Sequence, residues 1–176
     1  DFALRTDSLT VDFSQAYLFF WDQLEKANLM LQGVIDTAEK PIDDQRVQFF
    51  FHYPINDGGT FCGVADLADK YGMVPREVMP ETFSTDNTSR ARALVASKLR
   101  EFGLQLREMV AKGKKGSSLE KAKTRMLSQI YHMLQLTIGN PPEKFTYAFK
   151  DKKGEAGEAK EYTPMSFYNE VMDGKK

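Results

Sequence analysis

Apolar positions recur at helical spacing over much of this chain, and the polar positions between them mark where helices start and stop. From Ser14 to about Gln32, Tyr17, Phe20, Trp21, Leu24, Leu29 and Leu31 return every three or four residues behind a serine placed as an N-cap, which predicts a helix. Glu39 to Gln45 is a polar connection. The run VQFFFHYPIN after it reads as a buried segment, extended or briefly helical, ended by Pro54. Thr60 to Tyr71 puts Phe61, Val64, Leu67, Ala68 and Tyr71 on one helical face, with Gly72 as the stop. Met73 to Asn87 carries two prolines and no helical period, so it is expected to run extended across the surface.

A long helix is predicted from Thr88 to about Lys112, where Leu94, Val95, Leu99, Phe102, Leu106, Met109 and Val110 form a stripe interrupted by Gly103. KGKKG, Lys112 to Gly116, is the turn. Ser117 and Glu120 have capping-box spacing, and Leu119, Ala122, Met126, Ile130, Met133 and Leu134 carry a second helix to Ile138 that should pack antiparallel to the first. Gly139 and the prolines after it end that helix. Phe145, Tyr147 and Phe149 then alternate as in a strand, and DKKGEAGEAKEY reads as the mobile tip of a hairpin. Thr163 and Pro164 open a last short helix closed by Gly174.

A length of 176 residues allows a substantial core, and 41% hydrophobic residues, 28% charged residues and a net charge of -1 describe an ordinary soluble protein. The basic excess of a nucleic-acid binder is missing, and the densest apolar run, Ala16 to Trp21, is followed at once by Asp22 and Glu25, so no membrane span is expected. One cysteine and two histidines exclude an internal disulfide and cannot build a metal site unaided, which fits a reducing compartment. The opening DFALRTD has neither an initiator Met nor a signal-peptide layout and reads as the interior of a longer chain.

Candidate chemistry concentrates in NDGGTFCGVADLADKYGMVP, Asn56 to Pro75. Two glycines before a helix can bind an anion through free amides, but neither phosphate-loop pattern is present and Asp57 would repel phosphate, so a plain turn outweighs a phosphate site. A nucleophilic cysteine needs an exposed, acidified thiol and a histidine beside it. Cys62, on a helix with Val64, Ala65 and Leu67, is instead expected to be a small buried hydrophobe that reacts slowly. His52 and His132 read as ordinary polar positions, and KGKKG as a solvated loop.

The motifs in their order carry a resemblance. FSQAYLFFWDQLEKAN at Phe13–Asn28, NDGGTF at Asn56–Phe61, DKYGMVPREVMPETF at Asp69–Phe83, REFGLQLREMV and GNPPEKFTYAF together cover nearly the whole chain. They resemble papain-like cysteine peptidases, specifically the bleomycin hydrolase and aminopeptidase C branch. The resemblance implies a mainly α fold with a short β-hairpin. Residues 1–87 would be the helical half of a papain-like α+β core, and 88–176 an inserted helical subdomain.

In that family the nucleophile lies in a Gln-x5-Cys-Trp segment ahead of the SQAYLFFWD stretch. Cys62 does not match it, since Asn56 stands where Gln is needed and Gly63 where Trp is needed. Neither His52 nor His132 has the context of the family's catalytic histidine, so no catalytic residue is assigned here and the chain alone is expected to be inactive. The resemblance gives Gly58 and Gly59 the role of a rim that pairs with peptide backbone, which suits residues without a Cβ. It also places Phe61 at the side-chain pocket, although the family more often has Gln-Trp-Asp where Thr60, Phe61 and Cys62 stand. By the same resemblance the intact parent would remove N-terminal residues from peptides through an acyl-enzyme, with no metal or organic cofactor, and assemble as a cytoplasmic homohexamer. The alternative is a noncatalytic helical module for peptide binding or oligomerisation.

Overall fold

The computed structural model describes residues 3–5, 10–151 and 153–173. Its elements run β1 (Ala3–Arg5), β2 (Thr10–Asp12), α1 (Gln15–Asp36), α2 (Gln45–His52), α3 (Phe61–Tyr71), α4 (Phe83–Asp86), α5 (Ser89–Ala111), α6 (Ser117–Thr137), β3 (Phe145–Tyr147), β4 (Lys160–Tyr162) and α7 (Pro164–Asp173). The architecture is mainly helical with two short antiparallel ladders, β1–β2 and β3–β4. Two compact units interleave along the chain: residues 1–21, 59–86 and 138–176 form one, and 22–58 with 87–137 the other.

In the first unit the start of α1 is fixed by Ser14, which is buried because it is used twice. Its Oγ accepts the Tyr17 amide at 3.0 Å, the N-cap bond that the sequence predicts, and donates to the Met79 carbonyl at 2.5 Å. The Ser14 amide donates to Val74 O at 2.9 Å and the Arg76 amide to Asp12 O at 2.8 Å. These bonds hold the segment after α3 beside residues 12–14 and bury Met73, Val74 and Met79. The extended surface run expected there is therefore corrected to a buried backbone-paired segment followed by the short helix α4. Tyr17 reaches Tyr71 O through its hydroxyl at 2.7 Å, and Trp21 stacks on Tyr71 with centroids 4.0 Å apart.

The hairpin pairs Phe145 with Tyr162 and Tyr147 with Lys160, so the strand expected at Phe145 is present while Lys160–Tyr162, expected within the tip, form its partner β4. Thr163 and Ser166 cap α7 reciprocally: Thr163 Oγ1 accepts the Ser166 amide at 3.2 Å, and Ser166 Oγ accepts the Thr163 amide at 2.9 Å. The stop expected at Gly174 lies outside the described residues.

The second unit packs the remainder of α1 with α2, α5 and α6. Its core draws Ala27, Met30, Leu31 and Val34 from α1, Val95, Leu99, Phe102 and Leu106 from α5, and Ala122, Met126, Ile130 and Leu134 from α6. Leu29 and Leu94, counted on apolar stripes in the sequence, are instead 67% and 53% exposed. VQFFFH is not a buried run but an amphipathic surface helix, capped by Asp44 accepting the Arg46 amide at 2.9 Å, with Val47 buried and Phe49 exposed.

Gly103 is not a flaw in the α5 stripe. A Cβ there would stand 3.0 Å from the Phe51 ring, so the missing side chain makes room for it. The expected Ser117–Glu120 capping box does not form: Ser117 lies inside α6, Gly116 O accepts the Leu119 and Glu120 amides, and the Glu120 carboxylate pairs with Lys123 at 3.1 Å.

Candidate functional site

Residues Asn56 to Gly58, all in the second unit, have their polar groups engaged on both sides of the chain. Asn56 Oδ1 accepts the Gly58 amide at 3.1 Å, the local turn that an asparagine side chain favours. The Asn56 carbonyl accepts from Gln23 Nε2 at 2.9 Å and from Lys26 Nζ at 3.1 Å, and Lys26 also donates to the Gly58 carbonyl. Asp22 orients both donors, with Oδ2 at 2.9 Å from Gln23 Nε2 and 2.6 Å from Lys26 Nζ. Lys26 stands one helical turn after Asp22 and Gln23, which places its ammonium beside them.

Asp57 points to α5. Its carboxylate accepts from Thr88 Oγ1 at 3.0 Å and from Arg92 Nη1 at 2.9 Å. Thr88 stands at the N-cap position of α5, but its side chain makes no cap bond and donates to Asp57 instead. The Thr88 hydroxyl first, then Asp57's own amide, and the charges of Arg92 and Lys26 hold the Asp57 carboxyl below its ordinary value. The sequence reading saw Asp57 only as a repellent of phosphate.

Gly59 opens the first unit's next segment and differs from its neighbour. Both backbone groups of Gly58 are occupied, whereas the N–H and C=O of Gly59 have no partner among the described residues. A Cβ on Gly59 would meet nothing within 4 Å, and one on Gly58 would make an ordinary contact with Asn56 Oδ1 at 3.6 Å. Neither glycine has a positive φ. Thr60 then caps α3, its Oγ1 accepting the Gly63 amide at 3.2 Å, and Phe61 as the first helical residue is 79% exposed.

Cys62 is exposed, which overturns the expected burial. Ala68 is the buried residue of α3, and the first turn of the helix stands in solvent. Cys62 is therefore expected to react with a thiol reagent about as fast as a cysteine in an unstructured peptide, and Cys62→Ser in the enzyme is expected to keep peptide cleavage. Timed alkylation and a peptide assay check both; protected labelling, or lost turnover in the variant, contradicts the placement.

His52 ends α2 beside Tyr53, and His132 Nδ1 lies 3.4 Å from Gln135 Oε1. Among the described residues no group of three or more His, Cys, Asp or Glu could hold a metal ion, and no helix is long and apolar enough to cross a membrane.

Comparison with known proteins gives a consistent set of matches. A family model described as the Peptidase C1-like family matches residues 2–175. Aminopeptidase G of Lactobacillus delbrueckii subsp. lactis is 39% identical over 173 residues, 98% of this chain and 39% of that protein. Bleomycin hydrolase of Gallus gallus is 39% identical over 161 residues, 90% of this chain and 35% of that protein. The crystal structure of PepW from Lactobacillus rhamnosis superposes with a TM-score of 0.86 at 37% identity, covering 92% of this chain and 36% of that one. The chain thus spans well under half the length of these three.

Proposed function

The chain belongs to the Peptidase C1-like family and is a mainly helical part of a papain-like fold, and from that premise we propose that it is the central part of a cysteine aminopeptidase. The reaction is removal of N-terminal residues from peptides: a thiolate attacks the scissile carbonyl, the amine leaves, and water hydrolyses the thioester. Thiol, base and orienting residue come from segments other than those assigned here, since neither Cys62 nor the two histidines has the family contexts. This chain contributes the substrate rim, with Gly58 and Gly59 against the peptide backbone and Phe61 at the side-chain pocket. On the resemblance alone, we also propose that residues 1–87 derive from the papain-like core and 88–176 from an insertion, and that the parent is a cytoplasmic homohexamer.

One observation carries the rim reading: the N–H and C=O of Gly59 have no partner among the described residues, and open space stands where a side chain would be. An extended peptide pairs with such a residue through main-chain hydrogen bonds. In the full-length enzyme, Gly59→Val is expected to lower kcat/KM for peptides by about 100-fold, the cost of moving reacting atoms by about 1 Å. Alkylation of the nucleophile by a small reagent is expected to be unaffected. The φ of Gly59 permits valine, so an unchanged melting temperature accompanies the loss. A folded variant that cleaves peptides at the unmodified rate overturns the rim assignment.

A further inference from the structure

We propose that Lys26 and Asp57 are positioning residues that clamp the substrate-pairing loop, so that Gly59 meets a peptide in one orientation. The proposal rests on the rim reading and adds to it the groups that make the rim work. Adjacent glycines carry more backbone freedom than any other pair, so a Gly-Gly rim left to itself would sample many orientations of its N–H and C=O.

In this chain the freedom is removed immediately upstream of Gly59. Lys26 donates to two carbonyls of the loop, Asn56 O and Gly58 O, while Asp22 fixes the ammonium from behind. Asn56 closes on the Gly58 amide. Asp57 ties the same residues to α5 through Thr88 and Arg92. Residues 56–58 are thus held from two helices, one on each side, by charge-assisted bonds. Gly59, the next residue, has neither its N–H nor its C=O bonded among the described residues.

Ion pairs that are exposed or half-buried at the surface, as these are, add little to folding stability. Their effect on geometry is larger, because catalysis is sensitive to sub-ångström placement in a way that folding is not. Lys26→Met and Asp57→Ala should therefore separate function from stability.

The test uses the full-length enzyme with tripeptide substrates and a small alkylating reagent for the nucleophile. Each single variant is expected to lose about tenfold in kcat/KM, a fraction of the cost of a full 1 Å displacement, with most of it in KM. The alkylation rate and melting temperature should stay as in the unmodified enzyme. Lys26→Arg, which keeps a cation able to donate to two carbonyls, should recover most of the loss. In a Gly59→Val background, Lys26→Met should add little, because both act on the same contact.

Full kcat/KM in both Lys26→Met and Asp57→Ala, in an enzyme that Gly59→Val still impairs, overturns the clamp and leaves the rim intact. Full activity in Gly59→Val overturns the rim and the clamp together. Should Lys26→Met fail to fold, Asp57→Asn and Thr88→Val carry the same comparison. Equal losses of peptide cleavage, alkylation and melting temperature in those variants would make the network structural only and overturn the proposal.

Discussion

Gly72→Ala is expected to cost about 3 kcal/mol or more of folding stability, enough to unfold a domain of ordinary marginal stability under mild denaturant. Gly72 ends α3 with φ 76 and ψ -166, a conformation that residues with a Cβ almost never adopt. The strain alone is about 1–3 kcal/mol. A Cβ would also meet Pro164 C, Pro164 O and Met165 N, all backbone atoms at the start of α7. No side chain can swing away to relieve that overlap, and the Met73 amide bonds to Pro164 O at 3.1 Å, so the two segments cannot part without losing that bond. Forcing a methyl into packed atoms adds about 1–3 kcal/mol. Gly59→Ala is the matched comparison, with open space and no positive φ. Denaturant midpoints should fall sharply for Gly72→Ala and barely for Gly59→Ala; equal midpoints would show that α7 does not press on Gly72.

The helices whose apolar period is strong were readable from sequence alone, because period and cap are local. Ser14 and Thr163 stand in the sequence as caps and each makes its bond. What escaped depends on distant partners. The last turn of α1 contains Gly33, which looks like a helix end; in the fold its bare Cα receives the ring of Phe50, since a Cβ there would overlap that ring. Arg107 donates to Thr37 O at 3.1 Å and Lys40 O at 2.6 Å beyond the end of α1. Arg100 donates to Phe51 O at 2.8 Å and His52 O at 3.3 Å at the end of α2. No local pattern announces that an arginine on one helix will satisfy the loose carbonyls of another.

The candidate site divides in the same way. Gly58, Gly59 and Phe61 stood out by residue type and by the resemblance, but Lys26, Asp57 and Thr88 did not, because their meaning lies in contacts across 31 or 32 positions of sequence. Cys62 was misread for a different reason. The average hydrophobicity of a short helix does not say which of its turns is covered: α3 buries Ala68 toward its end and leaves Phe61 and Cys62 in solvent.

Phe167→Ala should be as damaging as any side-chain truncation in the first unit, about 3–5 kcal/mol, the usual cost of removing a buried phenylalanine. Phe167 has 0% of its surface exposed. Its ring meets Phe145, Tyr147 and Tyr162 edge-on, each at 5.5 Å, and lies parallel to Phe149 at 5.6 Å. Phe13, beside the start of α1, closes the cluster at 6.4 Å. One residue of α7 therefore joins the hairpin to the segment that leads into α1, and truncating it leaves a hole bounded by rigid rings that cannot collapse into it. Tyr162 belongs to the same cluster, and burial, with the Glu170 hydrogen bond, pushes its phenol up to about 12. Phe167→Leu keeps much of the volume and loses the ring pairs, each about 0.5–1.5 kcal/mol, so it should fall between the two extremes. The control is Phe83→Ala, a ring 82% exposed whose loss should be nearly neutral. Thermal melts and near-ultraviolet dichroism rank the three variants, and a Phe167→Ala protein melting with Phe83→Ala would mean that α7 is not docked on the hairpin.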